Sequence, residues 1–211
     1  MKNLYSKPVK AIVLHHTGSN PGDLTVWEAI KAYSQRQWSG KWQPYTCDYH
    51  WGVGTSGKIY KGQPEIYFAV HCGIDEWDYY QDESGVNNQN SIAIAAIGNF
   101  ETTILPEAQL QGIVNCIRDV KSRYPKAFIK IHRELVATDC PGYKYNYPEI
   151  FRRLGMKFKD VDEKRWSFPA IDWVSDAKIM KGDEYGFRPK DPVTREEMGQ
   201  ILFNLHKFGK L

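Results

Sequence analysis

The sequence predicts an α/β protein, a sheet covered by helices, followed by a small C-terminal helical module. Three observations carry that prediction. Strand-length apolar runs occur at residues 10–16 (KAIVLHH), 91–97 (SIAIAAI) and 127–132 (AFIKIH). Segments with helical apolar spacing lie between them, and strands alternating with amphipathic helices build a sheet with helices on its faces. Near Lys157 the texture changes to a charged tail, and a tail of roughly 50 residues is small for an independent core.

Taken in order, residues 10–16 read as a central strand, because neither face is polar until the two histidines. Residues 25–37 read as a helix with Val26, Trp27, Ile30 and Tyr33 on its inner side. Residues 47–54 (CDYHWGVG) read as a strand, which Thr55-Ser56-Gly57 turns into KIYKG as a hairpin. Residues 91–97 give a second buried strand. Pro106 suits the first turn of a helix that reaches Tyr124, with Leu110, Ile113, Val114, Ile117, Val120 and Tyr124 as one apolar stripe. Residues 127–132 form the third strand, ending on His132. The tail reads as helix, Gly-rich turn, helix, and is expected to pack on the first domain or to associate with copies of itself. The domains expected are residues 1–157 and 158–211.

The totals narrow the function classes. A chain of 211 residues holds one full domain and a small second one, and 42% hydrophobic residues suffice for a core. The net charge is only +3 and no Lys/Arg-rich run occurs, which argues against nucleic acid as a partner while suiting an anionic setting such as a cell wall. No stretch approaches the roughly 18 apolar residues of a membrane span. The N-terminal MKNLYSKPVK lacks the apolar core of a secretory signal. Either a trimmed precursor that is exported, or a cytoplasmic protein that reaches its target by another route, is therefore expected. The four cysteines, Cys47, Cys72, Cys116 and Cys140, are too sparse for a disulfide framework.

The chemistry concentrates in a few residues. His15 and His16 are neighbours on a strand and must point to opposite faces, so only one can serve a given site. His132 ends another strand, and Cys140 follows a loop beside Pro-Gly. Two imidazoles and one thiolate form a three-ligand set that leaves the fourth position of a zinc ion open to water, the catalytic pattern. By residue type alone the alternative stands: a structural strand-end histidine and a small buried cysteine.

The ordered motifs LHHTG, YHWGVGTSGKIYKG, NQNSIAIAAIGNF and IHRELVATDCPG resemble the zinc-dependent N-acetylmuramoyl-L-alanine amidases, the type that includes phage amidase-lysozymes and peptidoglycan recognition proteins. The resemblance covers residues 8–155 and implies a mixed central β-sheet flanked by helices. It also implies Zn2+ held by His15, His132 and Cys140, with His16 in a supporting or packing role. Tyr49 falls on the family tyrosine that reaches the metal-bound water or the developing oxyanion, and Thr138 falls where relatives carry lysine or threonine. Some relatives place a general-base glutamate where this chain has Ala95. His71, in FAVHCG, and Trp51 are the expected substrate contacts, and Asn90 has a structural part in an NSIG-like turn. The activity implied is hydrolysis of the amide between N-acetylmuramic acid and L-alanine of peptidoglycan by zinc-activated water, as in a bacteriolytic endolysin, freed by holin-type release at lysis, or an autolysin. The alternatives are a peptidoglycan-binding recognition protein without catalysis and a thiol hydrolase using Cys140 with His132.

From Lys159 onward, KDV, Trp166, AIDWV, KGDEYGFRP and PVTREE resemble a single S-layer homology repeat. That resemblance implies a cell-wall-targeting or self-associating module that takes secondary cell-wall polysaccharide, with Arg195 and Trp166 as glycan contacts and a homo-oligomer if several copies are required. Local physics also explains TREE: Thr194 as N-cap with Glu197 makes a capping box, and Val193 with Met198 a hydrophobic staple.

Overall fold

The structure is a computed structural model that describes residues 8–41, 44–72, 85–155, 157–158, 160–161, 166–183 and 186–210. The first seven residues, Lys159 of KDV, and Glu184 and Tyr185 of KGDEYGFRP lie outside the described residues. The chain divides into two compact units, Met1–Ile150 and Phe151–Leu211. Among the described residues no helix is long and apolar enough to cross a membrane.

The first unit is built on a mixed five-stranded sheet. Its strands are β1 (Ala11–His16), β2 (Trp51–Val53), β3 (Ile59–Lys61), β4 (Ser91–Ala96) and β5 (Phe128–Ile131), in the order β3-β2-β4-β1-β5. β1 runs parallel to β4 and β5, β2 runs parallel to β4, and β2 and β3 form the expected antiparallel hairpin. β4 is buried along its whole length and β1 is buried up to His15. Both have partners on each edge, which is why both read as continuous apolar runs.

Helix α1 (Leu24–Trp38) and helix α2 (Glu107–Arg123) cover opposite faces of this sheet. A side chain added at Gly52 would collide with the Trp27 ring of α1, whereas the next residue, Val53, packs against Gly112 of α2. Successive strand residues point to opposite faces, so the two helices lie on either side. α2 buries Leu110, Ile113, Val114, Ile117 and Val120, as its spacing predicts. On α1 the inner line is Trp27, Ile30 and Ser34 instead, and Tyr33 stands 54% exposed. Ser34 wins that position because its hydroxyl oxygen accepts the Asp48 backbone N–H.

The strand expected over residues 47–54 is only Trp51–Val53. Backbone bonds persist at His50 and Tyr49, and further upstream side chains take over: Asp48 N–H bonds to Ser34, and Thr46 N–H bonds to the Gln63 side chain. Asp23 ties the hairpin turn to the start of α1 by accepting hydrogen bonds from the hydroxyls of Thr55, Ser56 and Tyr60.

Helix α3 (Tyr147–Arg153) contains the division between the units. The second unit holds α4 (Phe168–Asp176) and α5 (Arg195–Lys207), with a turn closed by an Asp183–Gly186 bridge between them. Its buried apolar side chains among the described residues are Phe151, Val161, Ile171 and Ile179. Polar contacts supply much of the rest. Lys157 bonds to Asp172 and Asp176, the Asp160 carboxylate accepts the backbone N–H groups of Phe187 and Arg188, and Arg188 pairs with Asp183 and Glu197. The capping box at the start of α5 is present: Glu197 N–H donates to Thr194 Oγ1, and Thr194 N–H donates to the Glu197 carboxylate. Val193 and Met198 each stay about half exposed, at 48% and 47%.

Candidate metal centre

Sheet register brings the two histidines together. In the parallel pair of β1 and β5, Leu14 lies opposite Ile131, so the next residue of each chain, His15 and His132, follows at the same level. Their ring centroids are 4.4 Å apart. His15 is 1% exposed, and His132 opens a one-turn 3-10 helix that leads the chain out of the sheet.

Cys140 arrives on a tight loop. Arg133 N–H donates to the Cys140 carbonyl at 2.9 Å, and Cys140 N–H donates to Thr138 Oγ1 at 3.3 Å. The Cys140–Pro141 peptide bond is cis. Gly142 then takes φ +98° with its Cα against the backbone of Phe100 and Glu101, where a Cβ would collide. Only glycine meets both conditions without strain. The loop leaves Cys140 Sγ 3.8 Å from His15 Nδ1, with His16 N–H donating to the sulfur at 3.3 Å.

Among the described residues, His15, His132 and Cys140 form a group whose ligand atoms all lie within 4.8 Å of one another. Zinc bonds of about 2.3 Å to sulfur and about 2.0 Å to nitrogen at a tetrahedral angle put S and N about 3.5 Å apart, close to the observed 3.8 Å. The Nδ1 of His132 is buried with no hydrogen-bond partner, which is costly unless something else takes its lone pair. Burial pushes the His132 imidazole down to about 4, with His16 adding to the effect. Burial also holds His15 well below its ordinary value, helped by His132 and His71. The Cys140 thiol is pushed up to about 12 by burial, against the pull of the His16 N–H and Arg133. Two neutral imidazoles and a protonated thiol are a donor set that a divalent cation can complete by displacing the thiol proton.

The other expected site residues divide. The Tyr49 ring lies 5.3 Å from His15, and burial, with Cys140 next in effect, raises its hydroxyl above the ordinary range. It therefore remains a proton donor. Thr138 sits on the Cys140 loop. His71 is in the cluster but beneath it: its Nδ1 is 3.0 Å from His15 Nε2, and its Nε2 is 3.2 Å from Ser91 Oγ. Both ring nitrogens thus face protein groups rather than a groove. Trp51 does not join the cluster. Its indole N–H donates to Glu65 at 2.6 Å, and the Arg123 guanidinium lies over its ring at 5.8 Å. Tyr49 and Trp51 do not share surroundings because Tyr49 precedes the strand and packs near Trp27 instead. His16 turns away, accepting the Phe100 N–H at Nδ1. Asn90 bonds to Asn87 and Gly85 within its turn, and Ala95 is wholly buried in β4. In the second unit, Trp166 is 90% exposed and Arg195 is exposed.

Sequence reasoning missed Glu101. One of its carboxylate oxygens is buried without a hydrogen-bond partner among the described residues, and its charge raises the Cys140 thiol. It also missed the loop-holding part of Arg133, whose guanidinium donates to the Gly142 carbonyl at 3.1 Å. Neither residue type carries a signal in isolation.

The family model described as N-acetylmuramoyl-L-alanine amidase matches residues 5–143. The chain belongs to this family. The S-layer homology domain model matches residues 157–198. Peptidoglycan-recognition protein SC2 of Drosophila melanogaster is 28% identical over 138 residues, covering 62% of this chain and 66% of that protein. The N-acetylmuramoyl-L-alanine amidase of Sus scrofa is 26% identical over 124 residues, 56% of this chain and 19% of the pig protein. The chain thus spans less than two thirds of the length of these relatives. Among solved structures, N-acetylmuramoyl-L-alanine amidase LysC from Clostridium intestinale matches with TM-score 0.56 and 26% identity, over 72% of this chain and 89% of that one. Within the amidase family, the mixed sheet and its flanking helices are the expected architecture of the first unit.

Proposed function

We propose that the first unit hydrolyses the amide bond between N-acetylmuramic acid and the L-alanine of the peptidoglycan stem peptide, using zinc held by His15, His132 and Cys140. The observation that carries this reading is the convergence of those three side chains, with a buried, unpartnered imidazole nitrogen among them. Zinc bound there would polarise the scissile carbonyl and lower the pKa of its water towards about 7. Tyr49, kept protonated by burial with its ring 5.3 Å from His15, would donate a hydrogen bond to the carbonyl oxygen as it gains charge. Thr138 accepts the Cys140 N–H through its hydroxyl oxygen, which leaves the hydroxyl proton for the same oxygen. With alanine at position 95, no carboxylate at that position shares the work.

Two competing readings make different demands. A recognition protein that binds peptidoglycan without cutting it is compatible with the name of the fly relative, but it has no need of a complete ligand set. A thiol hydrolase needs a stabilised thiolate, and a Cys140 thiol pushed up to about 12 is the opposite. The second unit is proposed to direct the enzyme to secondary cell-wall polysaccharide, with Trp166 and Arg195 as contacts, and to self-associate through α5, where Leu202 and Phe203 are 51% and 58% exposed. Together these features suit an endolysin or autolysin acting at the bacterial cell wall.

The test is mass spectrometry of peptidoglycan digested by the full chain. Free peptides beginning with L-alanine are expected, and their formation should stop on chelation and return with zinc. Binding without released peptides would leave the recognition reading standing, and activity that survives chelation would favour the thiol. Light scattering of the full chain reads self-association: a sharp monomer mass removes it.

A further inference from the structure

We propose that His71 is a positioning residue for the metal centre, a middle link in a one-way hydrogen-bond chain from His15 to Asn87 that fixes His15 as the tautomer with its proton on Nε2. The inference rests on the metal reading above and extends it to the choice of ligand atom.

The direction of the chain follows from its far end. Ser91 Oγ lies 2.6 Å from the Asn87 carbonyl oxygen. A carbonyl only accepts, so the Ser91 hydroxyl donates there. The lone pairs of that hydroxyl then face His71 Nε2 at 3.2 Å, and His71 Nε2 must carry the proton. The Cys72 sulfur, 3.8 Å from the same nitrogen and 3.5 Å from Ser91 Oγ, is a weak neighbour that does not reverse this order. A neutral imidazole has one proton. His71 Nδ1 is therefore an acceptor, and at 3.0 Å from His15 Nε2 it takes a proton from His15. His15 Nδ1 is left as a bare lone pair, and it is the nitrogen that faces Cys140 Sγ.

The opposite direction fails at the Ser91 end, where it would set the Ser91 and Asn87 oxygens lone pair to lone pair, and it would leave His15 Nδ1 protonated and unable to ligate. The chain is held rigidly: Asn88 Oδ1 accepts the backbone N–H groups of both His71 and Cys72 at 2.8 Å. His71 is buried, 8% exposed, in surroundings that disfavour an imidazolium, as a single-proton relay requires. Metal-binding histidines are generally oriented by a partner on the second nitrogen. Here a third imidazole fills the place more often taken by a carboxylate or carbonyl.

Asparagine and leucine are close in size, and only asparagine offers an acceptor near the position of His71 Nδ1. Zinc affinity of the full chain is measured by competition with a fluorescent chelator for wild type, His71→Leu and His71→Asn. The leucine variant should lose about 10–100-fold in affinity, with asparagine staying within about threefold of wild type. Imidazole 15N spectra of the metal-free wild type should show His15 protonated on Nε2, and Ser91→Ala should mix its tautomers without unfolding the chain. Equal losses in the two His71 variants, no loss in either, or a His15 proton on Nδ1 overturns the proposal. If the leucine variant does not fold, the wild-type and Ser91→Ala spectra decide. A wild type that binds no zinc would sink the metal reading, while the tautomer would still be read from the metal-free spectra.

Discussion

The two units stabilise themselves by different means. The first buries a continuous apolar sheet between two helices, and its site is made of buried groups held uncharged. The second has four buried apolar side chains among its described residues and relies on exposed ion pairs and caps. Apolar burial is worth several kcal/mol per large side chain, whereas an exposed ion pair contributes about 0–1 kcal/mol. The contrast teaches where precision can reside: a metal site needs fixed distances, and only the first unit has the packing to fix them.

Substitutions can break this contrast. Ile94→Ala, at a fully buried position of β4, should lower stability by about 2–5 kcal/mol, while Leu202→Ala in α5 should change it by less than about 0.5 kcal/mol. Urea unfolding reads both, and equal effects would show that the second unit packs as tightly as the first. Tyr49→Phe tests the chemistry supported by that packing. It removes one proposed oxyanion donor and should lower kcat about 100–1,000-fold with zinc content unchanged by metal analysis.

The buried site also has a pH signature. With His132 at about 4 and Cys140 at about 12, both imidazoles are already neutral above pH 5 and only the thiol proton must leave. Apparent zinc affinity should then rise about tenfold per pH unit from pH 5.5 to 8. A steeper rise below the ordinary histidine value of about 6.5 would show a site histidine titrating normally. For the metal-free chain the sign follows from depressed histidines: the unfolded state takes up protons first, so stability present above about 6.5 is lost as pH falls towards 4. A smaller effect than those on the first unit belongs to the cap of the second. Thr194→Ala should cost about 1 kcal/mol, and 1 M salt should weaken that unit's ion pairs, which are exposed to screening. Helical circular dichroism melts at two salt concentrations check this.

Much of the first unit was legible because its strands are buried on both faces and its histidines sit at strand ends, where register does the placing. The failures have local causes. Residues 47–50 read as strand by composition, yet the Ser34 side chain takes the Asp48 N–H, while Tyr49 and His50 keep backbone bonds to Gln63, Gly62 and Ala93. The chain bends there, so alternation could not predict that Trp51 would go to Glu65 and Tyr49 to His15. On α1 the choice between Tyr33 and Ser34 turned on a hydroxyl contact invisible to periodicity. The meeting of His71 with His15 spans 56 positions and depends on loop geometry, which no spacing in FAVHCG encodes.

The Leu14–Ile131 pairing that aligns β1 with β5 has a consequence for how the protein ends its working life. Because backbone rungs set the gap between His15 and His132, the proposed grip on zinc would not loosen by degrees while the strands remain zipped. Heat or denaturant should therefore release the metal in the same step that opens the sheet. A zinc-sensitive dye would then double as a thermometer of the fold, its signal rising where the protein melts and not before.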